Sequence, residues 1–459
     1  MTNPRCGTGA QSLLDQLDEA LARGTIPASI FGNAELFQYE LRKIFSRAWV
    51  FLAHESEIAA KGDYVVRKIG QDNFIVCRGE DSTVNVLLDA CRHRGVAVCR
   101  AESGNASHFR CPYHGWTYNS AGEMTGAPLW RSALAGVDKS ANGLLRAAQV
   151  DTYQGLIFAT LDASAPPLED YLGGMAWYLD TIFGLNEHGV ELLGPPQRFV
   201  FDANWKSAAE NFAGDDYHVG TLHRTVFALG AFPVPFAQNM MGYHIQAGPG
   251  HSLSLSMADS EDDPGPKFLG YPDNLANSFD TTRISEDQLR IAKRTRVFVG
   301  NVFPNFSILG APLTEDGQRY APTGVLTIRC WQPIGPNSVE LWNWFCSYKN
   351  ATPEQKERAY KAGLGTFSMG GIFEMDDSEP WISTARTGSS VAAEVLGLDL
   401  NYQMGLDGIG ESKRVADFAG PGVVYSPRHE EGVQRNFYRF YTDLMKAPDG
   451  KWPEPVAGC

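Results

Sequence analysis

The sequence predicts an α+β protein in which a small all-β module is embedded in a larger chain of mixed helices and strands. Three observations carry that prediction. From Tyr64 onward, short β-rich runs at 64–69, 73–78 and 83–88 are broken by Gly70-Gln-Asp and Gly79-Glu-Asp turns, the pattern of an antiparallel meander. Helical periodicity brackets that region on both sides. The length, 459 residues, is too great for one ordinary domain and gives a prior of two or three.

In chain order, residues 1–30 are polar and small, with a short helix expected around 11–23. Asn33 can cap a helix running to about residue 49, with Phe37, Leu41, Ile44 and Phe45 on one face. The short-strand, turn-rich character continues through Gly115, Gly122 and Gly126 to a strand at 156–161. Ala165-Pro166-Pro167 is the best linker in the sequence. Beyond it come a helix at 168–183, a strand at 198–202 and a helix at 205–212. Strands are expected at 324–332 and 338–348, then a long helical stretch from Pro353 into the 380s and a last helix over 430–445. No internal repeat or low-complexity tract is present.

Composition narrows the function. Asp and Glu number 53 against 39 Lys and Arg, a formal net charge of −14, which argues against nonspecific binding to nucleic-acid phosphate. No run approaches the roughly 18 apolar residues of a membrane helix. The start, Met1-Thr-Asn-Pro-Arg-Cys-Gly, leads into no apolar stretch of the kind that directs secretion. Eight cysteines in so long a chain are not a disulfide framework, and a reducing cytoplasm is the expected setting. Cys77 and Cys346 sit in strand-like apolar runs, where a thiol acts as a small hydrophobe. Cys91 and Cys111 differ, because each has a histidine at ligand spacing.

The two segments read Cys91-Arg-His93-Arg-Gly95 and Cys111-Pro-Tyr-His114-Gly-Trp116. Each puts one thiolate and one imidazole on a tight turn. Two chemistries fit the combined set: a structural zinc, or a two-iron cluster with both sulfurs on one iron and both nitrogens on the other. Zinc fingers normally pair like with like, whereas here each turn carries one of each. Together the segments resemble the Rieske [2Fe–2S] motif of the large (α) subunit of aromatic-ring-hydroxylating dioxygenases. A Rieske ferredoxin would share the motif but end within about 100 residues.

A second constellation lies in Glu210-Asn211-Phe212-Ala-Gly-Asp215-Asp216-Tyr217-His218-Val-Gly-Thr-Leu-His223. The segment starts helical, and Gly214 and Gly220 should loosen it enough for the two histidines to converge. Two imidazoles and a carboxylate would make the facial triad of non-haem Fe(II) oxygenases, with positions left open for dioxygen. Candidate carboxylates are Glu374, Asp376 and Asp377, of which the resemblance implies Asp377. It further implies that Asp215 links His218 to His114 of the neighbouring subunit, and it brings Asn211 and Tyr217 near the iron. Asp216 is the lesser candidate for the bridge.

The resemblance covers roughly residues 35–445. It implies a helical segment at 1–48 packing on the catalytic domain, a Rieske domain at 49–165, and a catalytic domain at 166–459 with a helix-flanked antiparallel sheet of the helix-grip type. It implies electrons from NAD(P)H through a reductase, with or without a ferredoxin, and an α3 trimer or an α3β3 hexamer with small β subunits. The implied reaction puts both atoms of dioxygen into an arene as a cis-dihydrodiol. The in-family rivals are monohydroxylation of an aromatic acid such as salicylate, and O-demethylation. Phe212, Val219, Phe227, Val297, Val299, Phe367 and Phe373 fall where the family lines its pocket, with Asn211 beside them. Naphthalene-type enzymes carry polar residues where Val297 and Val299 stand, so a drier pocket and a neutral arene are expected. No arginine suited to a substrate carboxylate stands out, although Arg294 and Arg296 flank the pocket segment. Residues 60–150 hold eleven Lys and Arg against eight Asp and Glu, a relatively basic module suited to an acidic electron donor.

Overall fold

The computed structural model describes residues 8–233, 235, 240–263, 265–314 and 321–453; Cys6 and Cys459 lie outside them. The chain forms two compact units, Phe45–Leu168 and, separately, Met1–Ile44 with Glu169–Cys459. The α+β class is as expected.

The unit Phe45–Leu168 is built of three small antiparallel sheets. Strands Asp63–Ile69, Asp72–Arg78 and Val84–Leu88 form the expected meander, with Ser103–Asn105 added beside the first. A second sheet joins Val50–His54, Gln149–Tyr153 and Leu156–Thr160, and a third joins His108–Arg110, Thr117–Asn119 and Met124–Gly126. Ile75, Leu87, Phe109, Trp116, Tyr118 and Met124 form its core, and the thiols of Cys91 and Cys111 are buried within that core.

The other unit is organised around a ten-stranded antiparallel sheet. In spatial order it runs Ser338–Tyr348, Thr323–Gly335, Phe306–Leu313, Thr295–Val302, His251–Met257, Gly242–Gly248, Val423–Ser426 and Lys413–Val415. Val190–Leu192 and Gln197–Phe201 pair with successive parts of the first strand. The helices Trp205–Asn211, Pro353–Phe367 and Gly432–Lys446 pack on this sheet. Their starts are written in side chains. Asn204 accepts from the Lys206 amide at 3.0 Å, and Thr352 and Gln355 cap each other reciprocally.

Differences from expectation have local causes. The helix begun at Asn33 is regular over Ala34–Glu40 and then widens into a π-turn at Leu41–Phe45, which leaves Leu41 only half-buried. The stretch 168–183 divides into Leu168–Leu172 and Gly174–Phe183 because Gly173 adopts φ +52°, a conformation that other residues avoid. The stretch from Pro353 divides into Pro353–Phe367 and Ile372–Gly388. At that break a β-carbon on Gly371 would lie 2.3 Å from the Thr366 carbonyl oxygen. The hairpin Gly242–Gly248/His251–Met257 and the strand Phe306–Leu313 had no sequence expectation. Among the described residues, no helix is long and apolar enough to cross a membrane.

Candidate metal centres and the adjoining cavity

Two loops of the same design carry the Cys-His pairs. In one, Gly95 N–H donates to the Cys91 carbonyl at 2.8 Å and Cys91 N–H to Val96; in the other, Gly115 donates to Cys111 at 3.0 Å and Cys111 to Trp116. Gly95 and Gly115 close these turns at φ +73° and +71°, where a side chain would be strained. The thiols are buried and the imidazoles half-buried. His93 Nδ1 and His114 Nδ1 approach to 3.1 Å, and Trp116 stacks on the His93 ring at 4.9 Å. Tyr118 Oη lies 3.2 Å from Cys91 Sγ. Burial pushes the Cys91 thiol up, so a cation is needed to hold it as the thiolate. Among the described residues, these four donors are not gathered about one point as a tetrahedral zinc would require. They divide into a thiol pair and an imidazole pair, which fits a cluster of two irons.

The second centre lies where the helix Trp205–Asn211 ends. Gly214, at φ +135°, turns the chain out of the helix, and a single turn, Val219–Leu222, follows with His218 and His223 as its two caps. Gly220 sits inside that turn and does not loosen it. Capping one turn from both ends brings the two Nε2 atoms to 3.2 Å. Asp377, on the second turn of Ile372–Gly388, sets Oδ1 3.4 Å from His218 Nε2 and 3.1 Å from His223 Nε2. Among the described residues this is the one group of three metal-binding side chains whose donor atoms all lie within 4.8 Å. Asp377 Oδ1 is buried and makes no hydrogen bond. Such separations suit donors sharing one ion with bonds of about 2 Å, and two imidazoles with one carboxylate suit Fe(II).

The charges around this triangle favour a cation. Burial opposes protonation of His218, but Asp215 and Asp377 outweigh it and hold its pKa well above the ordinary imidazole value. Burial would raise the Asp377 carboxyl, but His218 and His223 pull it well below the carboxylate range. Asp376 Oδ2 accepts from His223 Nδ1 at 3.2 Å. Asp215 Oδ2 lies 3.2 Å from His218 Nδ1, an ion-pair contact that falls short of hydrogen-bond alignment. Asp215 is 38% exposed in its side chain and lies at the wall of the adjoining cavity. Glu374 takes no part: Arg329 Nη1 holds it at 2.7 Å. Tyr217 is 69% exposed and lies outside the cavity wall, because the loop turns Asp216 inward and Tyr217 outward.

A cavity adjoins the triangle, enclosing about 670 Å³ once its open mouth is counted. Asn211, Phe212, Val219 and Phe227 reach it from the histidine segment, and Phe367 and Phe373 from around the break at Gly371. Val297 and Val299 face it from one strand and Leu309, Ala311 and Leu313 from its partner, as the two-residue period of a strand requires. Phe373 stands edge-on to His223 at 4.8 Å and stacks on Phe367 at 4.9 Å.

Sequence reasoning missed the polar end of this wall. Asp216 and Arg428 also line the cavity, joined by a 2.8 Å bond from Nη1 to Oδ1. Arg294 and Arg296 are not in the wall: Arg294 donates to the Ala258 carbonyl and Arg296 pairs with Asp263. Arg428 follows a Pro427 turn 212 residues after Asp216, and no local pattern marks the pair.

A family model of the Rieske [2Fe-2S] domain matches residues 48–144, and one of the ring hydroxylating alpha subunit (catalytic domain) matches 168–447. The chain is 37% identical over 441 residues to the N,N-dimethyl phenylurea N-demethylase subunit alpha of Sphingobium sp. (strain YBL2), covering 95% of this chain and 94% of that one. It is 32% identical over 438 residues to the benzene 1,2-dioxygenase subunit alpha of Pseudomonas putida, covering 93% and 92%. A crystal structure of naphthalene 1,2-dioxygenase from Rhodococcus sp. bound to indole superposes with a TM-score of 0.91 at 41% identity, covering 97% and 100%. The chain therefore belongs to the ring-hydroxylating oxygenase α subunits, oxidoreductases that hold a Rieske [2Fe–2S] cluster and a mononuclear non-haem Fe(II) and receive electrons from NAD(P)H through partner proteins.

Proposed function

We propose that this chain dihydroxylates a neutral mono- or polycyclic arene, adding both atoms of dioxygen to adjacent ring carbons to give a cis-dihydrodiol. The observation that carries the reading is the apolar, aromatic-lined cavity that adjoins the His218, His223 and Asp377 triangle. In this reading those three side chains hold the Fe(II), while Cys91 and Cys111 hold one iron of the cluster and His93 and His114 the other. Bound there, the metals supply electron storage and the activation of dioxygen. The chain's own side chains do the rest. Phe212, Phe227, Phe367 and Phe373 offer faces and edges to a flat ring, and Val219, Val297 and Val299 exclude water from beside it. Asn211 is a polar group at the same wall, able to orient a substituent. Asp376 fixes the ring of His223 by accepting a hydrogen bond from its Nδ1–H, and such partners raise the basicity of a ligating imidazole. Asp215, beside His218 and partly exposed, links that histidine to His114 of the neighbouring subunit.

Incubation under ¹⁸O₂ with a matched reductase tests the reaction, with two labelled oxygens expected in a diol. An unlabelled N–H product released together with formaldehyde would instead support a second reading, oxidative N-demethylation of a neutral aryl substrate, which the 37% identity to a phenylurea N-demethylase subunit favours. Asp215→Ala tests the link: both metals stay bound and turnover collapses, whereas near-normal turnover would reject the bridging role. The assembly we propose is an α3 trimer, or α3β3 with a small β subunit, working in the cytoplasm with a ferredoxin or reductase.

A further inference from the structure

We infer that Asp216 sets the charge selectivity of the cavity, neutralising the arginine in its wall so that neutral rings enter and ring carboxylates do not. The inference rests on reading this cavity as the arene pocket.

One row of cross-strand neighbours on the sheet carries the argument. Leu309 lies opposite Val299, Val299 opposite Ser254, and Ser254 opposite His244. Along four strands the row passes from apolar to polar. At its polar end Asp216 Oδ1 accepts from Arg428 Nη1 at 2.8 Å, while Oδ2 accepts from His244 Nε2 at 2.8 Å and from Ser254. On its other side His244 Nδ1 approaches Glu430 Oε1 at 3.3 Å. The side chains of Asp216, Arg428, His244 and Glu430 are all more than nine-tenths buried. Among the described residues Arg428 is the one arginine that lines the cavity.

A guanidinium is charged at any pH a protein survives. In a buried wall, its attraction for a planar carboxylate is strong and bidentate in form. Here Asp216 already occupies a carboxylate position on Arg428. The Arg428 guanidinium therefore meets the cavity with a counter-charge already bound to it. An aromatic acid entering this cavity would have to shed water and lie beside a guanidinium whose charge Asp216 already answers, which burial makes costly. Replacing Asp216 by its uncharged isostere leaves Arg428 in the wall without its carboxylate partner, free to take one from a ligand. A role limited to anchoring the loop between Gly214 and His218 predicts no such change in selectivity.

The test measures binding of benzamide and benzoate, an isosteric neutral and anionic pair, to the holoenzyme by calorimetry, and compares turnover of the two. Wild type is expected to favour benzamide by at least tenfold. In Asp216→Asn that ratio moves at least tenfold toward benzoate, and Asp216→Asn/Arg428→Met returns it to the wild-type value. A ratio in Asp216→Asn within twofold of wild type overturns the inference, as does a double variant that keeps the shift. If Asp216→Asn does not fold or loses iron, Arg428→Met decides. It leaves the carboxylate in the wall and must move selectivity at least tenfold from benzyl alcohol toward benzylammonium; no shift overturns the inference. If neither variant folds, equal affinity of wild type for benzamide and benzoate overturns it. A wild type that binds neither ring overturns the reading of the cavity itself, whereas binding with unaltered selectivity in the variants overturns only the role of Asp216.

Discussion

Asp376 and Asp377 are adjacent in sequence and differ in what they touch. Asp377 points its Oδ1 at both Nε2 atoms, while Asp376 holds the opposite nitrogen of His223. On the proposed assignment, Asp377→Ala lowers iron from three atoms per chain to two, with the visible spectrum of the cluster unchanged and turnover abolished. Metal analysis alongside that spectrum checks it, and three retained irons would reject Asp377 as a ligand. Asp376→Asn keeps the shape of the acceptor and loses its charge. Metal affinity or activity then falls about 10–100-fold, as with other partners of ligating histidines, measured by iron retention during dialysis against a chelator. The two histidines were legible as a pair because they stand five residues apart around one helical turn. The carboxylate was not singled out by spacing, since more than 150 residues intervene and Glu374, Asp376 and Asp377 are chemically alike. Only the resemblance favoured Asp377, and the fold gives Glu374 a different partner.

That partner, Arg329, shows how the helix Ile372–Gly388 is held. Its guanidinium lies over the Phe212 ring at 4.7 Å and the Phe367 ring at 4.8 Å while pairing with Glu374. It thus ties a sheet strand to the first turn of the helix that carries Asp377. Arg329 and Glu374 are both fully buried in their side chains, so removing one leaves the other uncompensated. Arg329→Met is expected to destabilise the fold by about 3–5 kcal/mol, read from the midpoint of chemical unfolding. The helix Trp205–Asn211 contributes a pH dependence. Burial pushes the Glu210 carboxyl up to about 8, although Tyr402 donates to it at 2.7 Å. In the unfolded chain the group titrates near 4.3. Between those values the native state keeps a proton that the unfolded state has lost, so stability falls as pH rises and levels off above about 8. Glu210→Gln removes that contribution, and its melting temperature should decline less steeply than wild type from pH 5 to 8. Elements with local signatures, such as the capped helices and the meander, were legible from sequence. The hairpin at Gly242–Gly248 and His251–Met257 was not, because its buried face carries serines and histidines that bond to residues distant in the chain.

Charge is distributed unevenly along the chain, a property legible in the order of residues alone. The chain carries −14, yet residues 60–150 carry a small positive excess. Several of those arginines, including Arg92, Arg94 and Arg110, are exposed in the loops and strand beside the Cys-His pairs, where the imidazoles also reach the surface. Other cations are spent locally: Arg78 and Arg67 pair with Glu55 and Glu57. An acidic electron donor approaching this unit would therefore feel attraction concentrated at the imidazole end, against repulsion from the rest of the chain. Such steering acts over a Debye length, about 30 Å at 0.01 M salt and about 3 Å at 1 M, and it governs the association rate more than the affinity. The second-order rate constant for reduction of the cluster by an acidic ferredoxin should fall several-fold as salt rises across that range. Arg94→Gln/Arg110→Gln should lower the low-salt rate and flatten the salt dependence, leaving the high-salt rate near wild type. A rate constant indifferent to salt in wild type would mean that these arginines serve only their own loops.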